Sequence, residues 1–181
     1  NNGRVFIEEL NKMQAAESNF SKPDFVKENI CQIIADTMET YQEEAANKKI
    51  RLNYSCLENE PAVMTDKRFM MRIIENLISN AIKYSPEQST VDLYVNFSRE
   101  NFNIVIKDQG PGISKEEQKI MFRKFQKLNA KPTGNEVSTG LGLYIVKTLV
   151  DKLNGKIIVN SELGQGTTFV LYFPVNYKVV V

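Results

Sequence analysis

Apolar positions along this chain switch period several times, and the switches divide it into elements. Residues 1–19 place Phe6, Leu10 and Met13 on one helical face, and Ser21-Lys22-Pro23 breaks that pattern. A longer helix is predicted from Phe25 to Ala46, its apolar face built from Val26, Ile30, Ile33, Ile34, Met38 and Tyr41. Ile50 to Tyr54 alternates as a strand, and Pro61 to Thr65 is a short strand candidate. Asp66 reads as the N-cap of a helix whose apolar residues are Ile73, Ile74, Leu77, Ile78 and Ile82, and Pro86 stops it. Val91–Phe97 and Phe102–Ile106 alternate around a polar four-residue link and predict a hairpin. Ser114, with Glu117 at the capping-box position, predicts a helix through Phe125. Leu128 to Thr139 is a polar loop, Leu141 to Leu153 a helix ended by Asn154-Gly155, and Lys156–Asn160 and Thr167–Phe173 two final strands. Helices first and hairpins later imply an α+β two-layer α/β sandwich.

The stripe along the helix after Asp66 is chemically distinctive. Asn76, Asn80 and Tyr84 recur every four residues, with Lys83 beside them, so all four share one face. Neutral amide oxygens suit a hard cation such as Mg²⁺, and a lysine suits the anion it accompanies. Asp108-Gln109-Gly110-Pro111-Gly112 sets a carboxylate at a strand end before two glycines. Such a carboxylate can accept from an exocyclic amine while glycine backbone lies close to a flat ring. Ser138-Thr139-Gly140-Leu141-Gly142-Leu143 opens a helix with free backbone N–H groups, a phosphate-binding arrangement, but its spacing is neither a dinucleotide fingerprint nor a P-loop. Phe122, Lys124, Phe125 and Lys127 lie between these two segments, where the rings could clamp the loop and the lysines reach phosphate.

Composition narrows the chemistry. The chain has 181 residues, 42% hydrophobic and 25% charged, a net charge of +1 and no histidine. The first three values describe one ordinary globular domain, and the charge disfavours a nucleic-acid partner. The last excludes imidazole acid–base chemistry and imidazole metal ligands within the chain. No apolar run approaches the roughly 20 residues of a membrane span, and no signal peptide is visible. Cys31 and Cys56 have no metal-type spacing and read as reduced, partly buried thiols.

The ordered set of motifs resembles the nucleotide-binding boxes of sensor histidine kinases, which share a superfamily with gyrase, the Hsp90 chaperones and MutL. Asn76–Ser85 resembles the N box, Asp108–Gly112 the G1 box, Met121–Phe125 the F box and Ser138–Leu143 the G2 box. Gly164-Gln165-Gly166-Thr167 resembles a further glycine turn, and Phe125–Gly134 is similar to the ATP lid of hybrid kinases. The resemblance covers roughly residues 24–174. It implies a Bergerat-type fold, a mixed, mostly antiparallel sheet of about five strands packed on about three helices.

The resemblance also implies roles. Asn80 would ligate Mg²⁺ with help from Asn76, Lys83 would contact phosphate, and Tyr84 would line the pocket. Asp108 would hold the adenine amine, with Gly110, Gly112, Ile113 and Thr167 shaping its surroundings. Thr139, Gly140, Leu141, Gly142 and Leu143 would bring backbone to the phosphates, and Phe125 would border the lid. Lys124 and Lys127 stand where the family often has arginine. Hydrolytic members of the superfamily carry glutamate at the place of Asn76, so ATP hydrolysis should be slow here.

The implied reaction passes the ATP γ-phosphoryl group to a histidine on an upstream dimerisation hairpin. Residues 1–19 would be the end of that hairpin, 20–24 a linker, 25–176 the ATP-binding domain and 177–181 a tail. The implied partners are that hairpin domain, a receiver domain of a response regulator, and a second copy in a full-length homodimer, with this portion facing the cytoplasm. Two other readings are an anti-sigma-factor-type serine kinase and a degenerate nucleotide-binding signalling module.

Overall fold

The computed structural model describes residues 22–56, 62–134 and 139–175. The helix expected over 1–19, part of the linker, Pro61, Ser138 and the tail lie outside the described residues.

The helix that follows Asp66 forms as its pattern predicts. It spans Lys67–Tyr84 (α2) and buries Phe69, Met70, Ile73, Ile74, Leu77, Ile78, Ala81 and Ile82 on one side. The Asp66 carboxylate accepts from the backbone N–H of Arg68 at 2.9 Å and of Phe69 at 3.3 Å. Ser85, held extended by the proline after it, ends the helix.

The first long helix differs from expectation at its start. It runs Ile30–Asn47 (α1), capped by Asn29, whose side chain accepts from Gln32 N at 3.1 Å. The preceding Val26–Glu28 is a strand (β1), paired antiparallel with Val63–Thr65 (β3). A helix from Phe25 would have forgone both that ladder and the Asn29 cap.

Arg51–Ser55 (β2), Thr90–Phe97 (β4), Asn101–Asp108 (β5), Lys156–Glu162 (β6) and Gly166–Pro174 (β7) form one sheet in the order β2-β4-β5-β7-β6. The β2–β4 pair is parallel and the others antiparallel. Alternate residues Val91, Leu93 and Val95, Phe102, Ile104 and Ile106, and Phe169, Leu171 and Phe173 are buried with the apolar faces of α1, α2 and Gly142–Lys152 (α4). This is the expected two-layer α+β sandwich.

The helix starting at Ser114 is shorter than predicted, only Lys115–Gln118 (α3), although its capping box forms. The Glu117 carboxylate also accepts from Asn129 N at 2.7 Å, which pulls the chain back across the helix end. A helix continuing to Phe125 would carry residue 129 away from that bond.

The cysteines also correct the sequence reading. Cys31 and Cys56 form a disulfide, with Cα atoms 5.8 Å apart. Starting α1 at Ile30 sets Cys31 in its first turn, beside the residue that follows β2. The bridge closes a loop of 25 residues, for which chain entropy gives about 3 kcal/mol of stabilisation. Urea unfolding of the oxidised protein should therefore show a higher midpoint than the Cys31→Ser, Cys56→Ser variant. Equal midpoints would show that the bridge contributes nothing to stability.

Candidate functional site

The exposed edge of α2 and the start of α4 face each other across a cavity of about 300 Å³. Arg72, Asn76, Asn80, Lys83 and Tyr84 line it from α2, and Thr139 to Leu143 line it from the α4 side. Asp108, Gly112, Ile113 and Thr167 line it from the sheet side. Helical spacing explains the first wall, since apolar and polar stripes of one helix serve the core and the cavity separately.

At one end sits the carboxylate of Asp108, 8% exposed. Its Oδ1 accepts from Gly110 N at 2.8 Å and Thr167 N at 3.2 Å. Oδ2 has no protein donor among the described residues and remains available to a ligand. Burial pushes the carboxyl up to about 6, opposed by the N–H groups of Gly110 and Thr167. Glycine is required around it. A Cβ on Gly166 (φ +86°) would run into the Asp108 carbonyl, and one on Gly110 would meet Asp108 Oδ1 at 2.9 Å.

Toward the other end, Asn76 and Asn80 face Gly142. Asn76 Nδ2 donates to Arg72 O at 2.7 Å, and that bond orients the amide. Its Oδ1 would lie 3.1 Å from a Cβ on Gly142, and Asn80 Nδ2 3.7 Å. Gly142 therefore keeps open the space between the two amides and the first turn of α4, where N–H groups lack helical acceptors. Gly140 (φ +75°) turns the chain into α4 against the backbone of Phe125 and Gln126.

The segment after α3 reaches back to α2. Thr133 N donates to Lys83 O at 3.0 Å, and Thr133 Oγ1 lies 3.0 Å from both Lys83 O and Ser85 O. The Lys48 ammonium, just past α1, donates to Ile82 O, Lys83 O and Thr133 Oγ1 at 2.9, 3.2 and 2.8 Å. A cation there also complements the negative end of the α2 dipole.

Most of the residues singled out in the sequence come together here. Gly110 adjoins the cavity through Asp108 and does not line it. Phe125, Lys124 and Lys127 stand outside the cavity wall. Phe125 is 43% exposed at φ +61°, and the Lys124 ammonium lies over the Phe125 and Tyr144 rings at 5.9 and 5.6 Å. Phe122 packs against the core. Sequence reading missed Arg72, Gln126 and Leu128 as lining residues. Arg72 was detectable as one more step of the four-residue spacing.

The fold with this site is that of histidine kinase catalytic domains. The mycobacterial sensor histidine kinase MprB superposes with a TM-score of 0.70 at 25% identity, over 86% of this chain and 99% of that one. Residues 65–177 match the family described as "Histidine kinase-, DNA gyrase B-, and HSP90-like ATPase", and the chain belongs to that family. The circadian input-output histidine kinase CikA of Synechococcus elongatus is 32% identical over 93% of this chain. The autoinducer 2 sensor kinase/phosphatase LuxQ of Vibrio parahaemolyticus is 34% identical, also over 93% of the chain. The chain spans only 22% and 20% of these two relatives.

Proposed function

We propose that this chain is the ATP-binding catalytic domain of a two-component sensor histidine kinase, which transfers the γ-phosphoryl group of Mg-ATP to a histidine on a separate dimerisation domain. The observation that carries this reading is the meeting of Asn76 and Asn80 with the glycine-opened start of α4, at the opposite end of one cavity from a buried carboxylate. With no histidine in its 181 residues, the chain cannot supply the acceptor itself.

In this reading Asp108 Oδ2 accepts from the adenine amine. Gly110, Gly112, Ile113 and Thr167 shape the base pocket, and Tyr84 lines it. Lys83 and the backbone from Thr139 to Leu143 hold phosphate. Phe125, Lys124 and Lys127 take part only when the loop they border closes over the nucleotide. The residues present fit Mg²⁺: the Asn76 amide is oriented with its oxygen toward the cavity, and this cation takes few protein ligands, keeping water and phosphate oxygens. Asn80 and Asn76 would hold it, and it would neutralise phosphate charge. An amide at Asn76 cannot deprotonate water near neutral pH, which supports phosphoryl transfer over hydrolysis.

The partners in this reading are the dimerisation domain, expected upstream with residues 1–19 as its end, a response-regulator receiver domain, and a second copy in the full-length protein. Among the described residues no helix is long and apolar enough to cross a membrane. The kinase reading places the domain on the cytoplasmic side, where the Cys31–Cys56 pair would be held reduced.

Incubation with γ-labelled ATP and a separately purified dimerisation domain tests the reading. The expected label on that domain is acid-labile and Mg²⁺-dependent, and Asn80→Ala should slow its appearance about 10²-fold. No label on a competent acceptor would overturn the proposal, and an acid-stable label would point to a serine kinase.

A further inference from the structure

Among the described residues, two cations line the cavity, Arg72 and Lys83, and they stand at opposite ends of the α2 stripe. Lys83 adjoins Tyr84, whose carbonyl lies 3.3 Å from where a Cβ on Gly110 would be, so it reaches the phosphates from the Asp108 side. Asn80 and Asn76 follow, both facing Gly142. Arg72 is the next residue of the stripe, about 6 Å further along the helix than Asn76. A nucleotide with its base on Asp108 and its phosphates between the two amides and α4 points its last phosphoryl group at Arg72.

The local structure suits Arg72 to this position. Its carbonyl accepts from Asn76 Nδ2, so the two residues share one geometry. Its guanidinium lies 3.4 Å from the Glu75 carboxylate, and the two side chains are 40% and 31% exposed. A long, half-exposed pair within one helix is a weak tether. Arg72 lines the cavity with its side chain 40% exposed, and the pair yields to a phosphate that takes two parallel N–H donors. Lys124, by contrast, lies over the rings of Phe125 and Tyr144, outside the cavity wall.

We propose that Arg72 binds the terminal phosphate and makes the site prefer a nucleoside triphosphate over a diphosphate. The inference rests on the nucleotide-binding reading above. Calorimetric titration with ADP and with the β,γ-imido analogue of ATP, each with Mg²⁺, tests it on wild type, Arg72→Ala and Arg72→Lys. The expected result is ADP affinity equal in all three proteins. The analogue should bind at least about tenfold more weakly to the alanine variant, which loses both charge-assisted hydrogen bonds, and the lysine variant should lose less. Equal losses for both nucleotides, or no loss for either, would overturn it. Wild-type protein that binds neither nucleotide would refute the nucleotide reading itself, and a variant that binds ADP normally has kept its fold.

Discussion

Asp108→Asn should give a protein that unfolds later and binds nucleotide worse. The buried carboxyl, raised to about 6 chiefly by desolvation, is charged at neutral pH at the expense of stability. Asparagine keeps an oxygen for Gly110 N and Thr167 N while removing the buried charge. The gain at pH 7.5 should be about 1–3 kcal/mol. A raised folded pKa favours the native state while the group is protonated, and that contribution is lost as pH rises through about 6. The stability gap between variant and wild type should therefore be absent below about pH 4, the ordinary aspartate range, and complete above about 6. Binding should move the opposite way. An amide N–H₂ replaces Oδ2 and meets the adenine amine donor to donor, so affinity should fall about 10²-fold or more. Wild-type affinity should itself weaken on acidification through about pH 6 as the carboxyl protonates. Thermal melts across pH and titration with the imido analogue check both halves. A less stable variant that binds normally would show that Asp108 serves structure and not the base.

A methyl group on Gly112 should cost about 3 kcal/mol, since a side chain in the left-handed region is compounded there by overpacking. Gly112 sits at φ +75°, and its Cβ would enter the Glu162 carbonyl and lie 3.1 Å from Leu163 Cα. Both are backbone atoms of the turn joining β6 to β7, which is tied down by Gly164 N donating to Pro111 O at 2.8 Å. Neither can swing aside as a side-chain tip would. Gly164→Ala is the matched comparison: φ is +77°, but nothing lies within 4 Å of the added carbon. It should lose only the conformational part, about 1 kcal/mol. Urea unfolding of the two variants separates crowding from backbone preference. Equal losses would mean that the turn relaxes freely.

Local chemistry explains which parts were legible in the sequence. Helix α2 was readable throughout because its cap, its stripe and its stop all lie within about twenty residues and agree. The β4–β5 hairpin was readable from alternation alone. Strand β1 was not, because three residues carry no period and Val26 fits a helical face equally well. Its partner β3 lies 35 residues onward at the closest register, Glu28 to Val63. The Cys31–Cys56 bridge had the same difficulty, since neither spacing nor composition joins the start of a helix to the end of a strand. Within the site, the stripe from Asn76 to Tyr84 and the glycine segment Thr139–Leu143 are legible, whereas Gln126 and Leu128, brought to the wall by the connecting segment, are not. Lys124 and Lys127 follow from the resemblance and stand outside the cavity wall, Lys124 over the Phe125 and Tyr144 rings. Arg72 lies one step of four before Asn76, outside the Asn76–Ser85 segment that carries the resemblance.

Asp66 does more than begin a helix. While Oδ1 caps α2, Oδ2 accepts from the backbone N–H of Asp24 at 2.8 Å, and β1 pairs along β3 up to the residue before the cap. The segment entering the domain and the helix bearing Asn76 and Asn80 are thus joined like the handle and blade of one tool. Moving residue 24 away from α2 would break the bond to Oδ2 and strip one partner from the carboxylate that caps the helix.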